Sequence, residues 1–113
     1  MSDYMTNGIV SDANVEDALK ALPIRTEEFA AAKAERVYLD EMRKSLKAIL
    51  MKESSESSAA AQERDAYAHE RYQDHLKQIR QAVLEEETAR GKMKRCEHAI
   101  EIWRTQSANR RSA

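Results

Sequence analysis

The sequence contains few of the residues that shape β-sheets, tight turns or disulfide frameworks. Aromatic residues make up 5 % of its 113 positions, and it has two glycines, one proline and one cysteine. The scarcity of aromatic and β-branched residues, without alternation of apolar and polar positions, argues against strands. The lone cysteine excludes an internal disulfide. No apolar run approaches the ~18 residues that span a bilayer. The first residues of the sequence also lack the pattern of a signal peptide. We therefore expect a soluble, cytoplasmic, all-α protein that does not associate with membranes.

Helix-forming residues dominate, and residues 59–108 carry the strongest helical pattern. The heptad spacing of its apolar seam, widened by Leu76 and Val83, is typical of a helix that packs against a partner helix. At about 1.5 Å per residue this helix would be roughly 70 Å long, so another element must cover its apolar side. The seam runs through Ala68, Tyr72, His75, Ile79, Ala82, Glu86, Ala89, Met93, Cys96, Ile100 and Trp103.

A second pattern, over residues 26–53, predicts the other helix of a long antiparallel hairpin. Thr26 is its expected N-cap, because a threonine hydroxyl can accept from the first backbone N–H groups of a helix. Residues 54–58, with four serines around Glu56, predict the turn; the alternative is one helix that runs straight through them. A turn this short makes residues 26–113 a helical hairpin of coiled-coil type. The seam of the first helix is expected to comprise Ala32, Leu39, Met42, Leu46 and Ile49.

Residues 1–25 are expected to form a leader and a short docking helix. Val15 to Leu22 place their apolar side chains on one face, with Asn14 as the N-cap, and Pro23 ends the helix. Residues 1–13 are typical of a loose lead-in. Because a helix of two turns is unstable alone in water, we expect it to dock on a longer helix.

The lengths of the two long helices predict a homodimer. Pairing back from the turn, residues 27–53 cover only about residues 59–85, so the rest of the long helix overhangs. Soluble monomers rarely leave a contiguous apolar stripe in water, and a two-turn helix is too short to cover this one. A second copy of the chain is the natural cover, in a helical bundle. The expected dimer seam comprises Leu76, Ile79, Val83, Met93, Cys96, Ile100 and Trp103.

No group of side chains has the spacing of a catalytic, cofactor or metal site. The residues three positions before His69, His75 and His98 are not carboxylates, so the Glu-x-x-His pattern of di-metal bundles is missing. The carboxylates of residues 85–87 point in successive directions on a helix and predict a solvated charge run. Arg36, beside the first seam, is expected to keep its charged head in water. We expect no enzyme, no metal and no cofactor.

Charge is distributed unevenly along the chain. Residues 1–87 carry 12 basic and 18 acidic side chains, whereas residues 88–113 carry 7 basic and 2 acidic ones. Cations favour the C-terminal end of a helix, but basic residues interleaved with an aromatic side chain also serve nucleic-acid binding. The candidate contacts to nucleic acid are Arg90, Lys92, Lys94, Arg95, Arg104, Arg110 and Arg111, with Trp103 among them.

The run Ile100-Glu101-Ile102-Trp103-Arg104-Thr105 within residues 60–111 resembles a family of small helical, coiled-coil proteins of tailed phages and prophages. The resemblance implies a small phage protein that acts in the host cytoplasm, beside genes of DNA metabolism, and it carries no catalytic residues. We therefore expect a non-enzymatic dimeric interaction or scaffold protein, an accessory or host-interaction factor that binds another protein. The alternative is a nucleic-acid-binding accessory protein that uses the basic C-terminal segment.

Overall fold

A computed structural model describes residues 4–112, and these residues form three helices. Helix α1 spans Asp12–Glu53, α2 spans Ala59–Ala68 and α3 spans Glu70–Ser112. Between positions 4 and 112 the only strand-like pairing is one isolated bridge, so the all-α prediction is confirmed. None of these three helices has both the length and the apolar character that crossing a membrane requires.

Residues 4–11, the described part of the segment before α1, contain an ordered turn rather than a loose lead-in. Asn7 and Gly8 both have positive φ, 53° and 74°, and Thr6 and Ile9 exchange two backbone hydrogen bonds of 2.9 and 3.1 Å. Two consecutive positive φ values are the signature of a type I′ turn, which asparagine and glycine tolerate best. The chain then enters α1 at Ser11.

Helix α1 begins earlier than predicted and continues through the proline. Ser11 is its cap: Ser11 Oγ accepts the Asn14 N–H at 3.0 Å, so Asn14 lies inside the first turn. The predicted helix end at Pro23 is wrong, because Pro23 lies within α1. The Thr26 hydroxyl donates to the Leu22 carbonyl at 2.8 Å instead of capping a new helix. An internal proline costs about 3 kcal/mol, which packing along the rest of the helix must offset.

The serine turn is where it was predicted, but the helix after it is interrupted. α1 ends at Glu53, and Ser58 caps α2 by accepting the Ala61 N–H at 3.1 Å. The single helix predicted over residues 59–108 is wrong, because His69 has an extended backbone, with ψ 139°, between α2 and α3. His69 Nδ1 accepts the Arg71 N–H at 3.0 Å and so caps α3, which continues to Ser112. Histidine is a weak cap signal, and the sequence offers no other sign of this break.

The chain folds as two compact units. We name the part up to Ala31 with Glu87 onward the terminal unit, and Ala32–Glu86 the central unit. Inside each unit, residues later in α1 contact residues earlier in α3. This is the order of an antiparallel pair of helices, which fits the predicted hairpin. The contacts are Arg36–Glu86 and Glu53–Arg71 in the central unit, and Asp12–Trp103 and Phe29–Arg90 in the terminal unit.

Candidate interaction surfaces

Residues 4–22, which we name the N-terminal segment, cover the C-terminal part of α3 within the terminal unit. Val10 and Cys96 are both almost fully buried, at 2 % and 1 % exposure. The Gln106 side-chain amide donates to the Val10 carbonyl and accepts the Val10 N–H, both at 2.9 Å. Trp103 Nε1 donates to Asp12 at 2.9 Å. The buried core of this unit comprises Val10, Val15, Ala18, Cys96, Ala99 and Ile100.

The dimer seam was predicted because the C-terminal part of the long helix was expected to be left uncovered by its own chain. This packing shows that the same chain covers it. Cys96 and Ile100 are buried and Trp103 is half-buried, all against the N-terminal segment of the same chain. The predicted overhang was wrong because Pro23 does not end the helix, so α1 reaches further along α3 than residues 27–53 allow. The seven predicted residues therefore divide into a covered and an uncovered group. Met93 and Ile79 are half-buried, while Leu76 and Val83 are exposed. The homodimer itself stays a prediction.

The central unit contains a buried ion pair that the sequence reasoning missed. Arg36 donates to both carboxylate oxygens of Glu86, from Nε at 2.9 Å and from an Nη at 3.2 Å. Glu86 is 4 % exposed, so the prediction of a solvated charge run over residues 85–87 is wrong at its middle position. The head of Arg36 turns to this carboxylate rather than to water alone. The signal was present, because Glu86 lies on the heptad seam of the long helix.

Aromatic and cationic side chains pack together beside α2. Tyr67 and Tyr72 stack edge to face with ring centroids 5.2 Å apart, and Lys47 Nζ lies 4.7 Å from the Tyr67 ring centroid. The contact with Tyr67 raises the pKa of Lys47 above its ordinary value, against the opposing effect of desolvation, and the Glu63 carboxylate raises it further. This cluster holds α2 to its neighbours.

The central unit leaves several large apolar side chains in water. On α1, Tyr38, Met42 and Ile49 are 58 %, 39 % and 47 % exposed. Met42 and Ile49 were predicted to lie on the seam inside the hairpin, and this prediction is wrong. Helix α1 has two apolar faces, and the inward one uses Leu39, Leu46 and Leu50. On α3 the exposed apolar side chains are Leu76, Val83 and Leu84.

The basic residues of the C-terminal segment do not act as one surface. The guanidinium of Arg90 lies 4.6 Å from the Phe29 ring centroid and pairs with Glu87 at 3.2 Å, so it belongs to the packing of the terminal unit. Lys92 is half-buried, and Lys94 and Arg95 are exposed. The other three predicted contacts come together. Trp103, Arg104, Ser107, Arg110 and Arg111 line one open groove of about 420 Å³.

Nothing in the described residues forms a metal centre. Between positions 4 and 112, no group of three or more His, Cys, Asp or Glu side chains is placed to hold an ion. His69 caps α3, and His75 Nε2 donates to the Leu39 carbonyl at 2.6 Å, so both rings have structural contacts. His98 is exposed beside a shallow depression near Gly8.

Comparison with protein-family models, with curated proteins and with solved structures finds no match to this chain. Two surfaces are candidates for function: the exposed apolar side chains of the central unit and the arginine-lined groove of the terminal unit.

Proposed function

We propose that this chain is a non-enzymatic helical interaction protein that forms a homodimer and binds another protein as an accessory or scaffold factor. The observation that carries the proposal is the set of exposed apolar side chains in the central unit, of which Tyr38, Met42 and Ile49 share one face of α1. The resemblance of residues 60–111 to small phage proteins supports a role as a phage accessory or host-interaction factor.

Exposed apolar side chains are common singly, but several along one helix face are typical of an interaction site. Each of these three side chains has roughly half its surface in water. Covering that half would contribute about 1 kcal/mol per side chain at ~25 cal/mol per Å². Three such contributions from each of two chains would offset part of the free-energy cost of association. This balance favours a weak, reversible dimer.

Sedimentation equilibrium over a concentration series from about 1 to about 200 µM tests this proposal, since weak interfaces dissociate in the micromolar range. The mass of one chain is 12.9 kDa. We expect the weight-average mass to rise from the monomer value towards twice that value. A monomer at every concentration would contradict the proposed homodimer.

The arginine-lined groove favours a second candidate function, binding of single-stranded nucleic acid. Three arginines line the same groove as Trp103, and arginines with an aromatic ring suit phosphates and a stacked base. Arg104 also pairs with Glu101 at 2.8 Å, which weakens the positive potential of the groove. The arginine-lined groove is therefore a weaker candidate for a binding site than the exposed apolar side chains of α1.

Fluorescence anisotropy with labelled single- and double-stranded DNA, at salt concentrations from about 25 to about 300 mM, tests the second candidate. The informative variant is Arg110→Gln with Arg111→Gln, and the matched control is Arg64→Gln with Arg80→Gln, which removes the same charge from exposed positions elsewhere. Nucleic-acid binding predicts a steep loss of affinity with salt and a larger loss in the groove variant. No binding at the lowest salt, or equal losses in both variants, would end this candidate.

A further inference from the structure

One face of α1 carries a complete heptad stripe that remains exposed in the central unit. Its members follow one another at steps of three and four residues, and all six are exposed. At about 1.5 Å per residue the stripe extends for roughly 26 Å along the helix. We name it the α1 stripe; it comprises Glu35, Tyr38, Met42, Ser45, Ile49 and Lys52.

We propose that the α1 stripe is the dimer interface, and that its occupant is the same stripe of a second copy, packed antiparallel about a two-fold axis that passes between Met42 and Ser45. This inference rests on the proposed homodimer and specifies its surface and orientation.

The stripe matches itself when one copy is reversed. In antiparallel coiled coils each a position packs against a d position of the partner helix, and here the two-fold axis repeats every layer. Tyr38 packs against Ile49 of the partner subunit, so a large ring meets a branched side chain. Met42 packs against Ser45 of the partner subunit, so a long flexible side chain fills the space that a small one leaves.

The ends of the stripe determine the orientation. Glu35 stands at one end and Lys52 at the other, and neither forms an ion pair with another residue among positions 4–112. Antiparallel packing brings Glu35 to Lys52 of the partner subunit at both ends. Parallel packing would place glutamate on glutamate and lysine on lysine, and like charges across an interface repel. Charge complementarity therefore favours the antiparallel dimer.

The exposed face of α3 offers no comparable surface. The residues of this face at steps of three and four are Leu76, Arg80, Val83 and Glu87. In a dimer built on this face every second layer would therefore be charged. Glu87 is also held by Arg90 of its own chain at 3.2 Å. On the α1 stripe the four central layers carry no charge. A single-helix interface is small, below about 1,200 Å², so we expect a dissociation constant in the micromolar range.

Charge reversal tests the pairing at the ends. Each single variant, Glu35→Lys or Lys52→Glu, places like charges at both ends of the dimer, and we expect the dimer to weaken by roughly five- to thirtyfold. The double variant Glu35→Lys with Lys52→Glu restores opposite charges and should return to the wild-type affinity. Lys33→Glu, an exposed residue of α1 outside the stripe, is the matched control and should have little effect. Single variants without effect, or a double variant that stays weak, would overturn the inference.

Pulsed electron paramagnetic resonance tests the orientation directly. Spin labels are attached at Glu41→Cys or Ala34→Cys, two exposed positions that flank the stripe, each combined with Cys96→Ala to remove the native thiol. Antiparallel packing predicts a short distance between the two labels at position 41, close to the axis, and about 25–30 Å at position 34. Short distances at both positions would establish a parallel dimer and overturn the proposal.

The inference and the proposed function fail in different ways. A wild-type chain that sediments as a monomer contradicts both. A wild-type dimer that is unaffected by changes in the α1 stripe, but is lost in Leu76→Glu with Val83→Glu, leaves the homodimer standing and moves its interface to α3. Met42→Glu should abolish the dimer if the α1 stripe is the interface, while the helical content of the monomer stays unchanged because Met42 is exposed within the chain.

Discussion

The ion pair between Arg36 and Glu86 gives a stability prediction that can be worked out from the structure. The side chains are 30 % and 6 % exposed, respectively, and two hydrogen bonds join them. Arg36→Met keeps the apolar stem of the side chain and removes the guanidinium. The buried carboxylate then loses the cation that faces it, and it cannot move into water without disrupting the packing of α3.

The expected cost follows from the burial of the two groups. Breaking a fully buried ion pair by removing one partner costs about 3–5 kcal/mol. Because Arg36 is nearly one-third exposed, some water already reaches the pair, and we expect a loss of about 2–3 kcal/mol for Arg36→Met. The double variant Arg36→Met with Glu86→Leu removes the buried charge as well and should lie within about 1 kcal/mol of the wild type.

Urea unfolding, followed by far-ultraviolet circular dichroism at one fixed protein concentration, measures these differences. The concentration is kept constant because dimer formation adds to the apparent stability. Arg64→Met, at an exposed position, is the matched control and should change stability by less than about 0.5 kcal/mol. If Arg36→Met is as stable as this control, or if the double variant is less stable than Arg36→Met alone, the ion pair does not hold the central unit as described.

Three further predictions concern the backbone and are measured by the same unfolding assay. Pro23→Ala should stabilise the protein by about 1–2 kcal/mol, because alanine restores the donor for the Leu19 carbonyl; a loss of stability would mean that α1 does not continue through this position. Gly91→Ala should stabilise by about 0.5–1 kcal/mol, because Gly91 lies inside α3 and an added Cβ meets nothing within 4 Å. A destabilised variant would reveal a close contact there. His69→Ala should cost about 1 kcal/mol through loss of the α3 cap, whereas His69→Asn should keep it; equal stability of the two would exclude a capping role.

The heptad pattern predicted the helices because apolar residues at steps of three and four mark, along a whole segment, the side of a helix that becomes buried. Tyr72, Ala82, Cys96 and Ile100 were placed on one seam, and all four are buried. The turn at residues 54–58 was also predictable, since serines are poor inside helices and good at their caps. These signals are local or strictly periodic, which is the information that one sequence contains.

The errors came from places where packing overrides a local rule. Pro23 has the strongest helix-ending signal in the chain, yet the contacts along α1 offset its cost. Val10 lies between turn residues, in a stretch too short for any periodicity, and it is among the most buried residues of the protein. On α1 two apolar faces overlap, so the sequence could not tell which of them faces the hairpin. The candidate interface therefore contains Met42 and Ile49, which the sequence had placed inside.

We expect the N-terminal segment of the same chain, and not a second copy, to cover the C-terminal part of α3 in solution. Trp103 is the only tryptophan, and it lies half-buried in that contact. Its fluorescence emission should therefore stay constant as the protein is diluted through the dissociation of the dimer. A red shift of the emission that follows dissociation would show that a second copy covers Trp103, and would contradict the account.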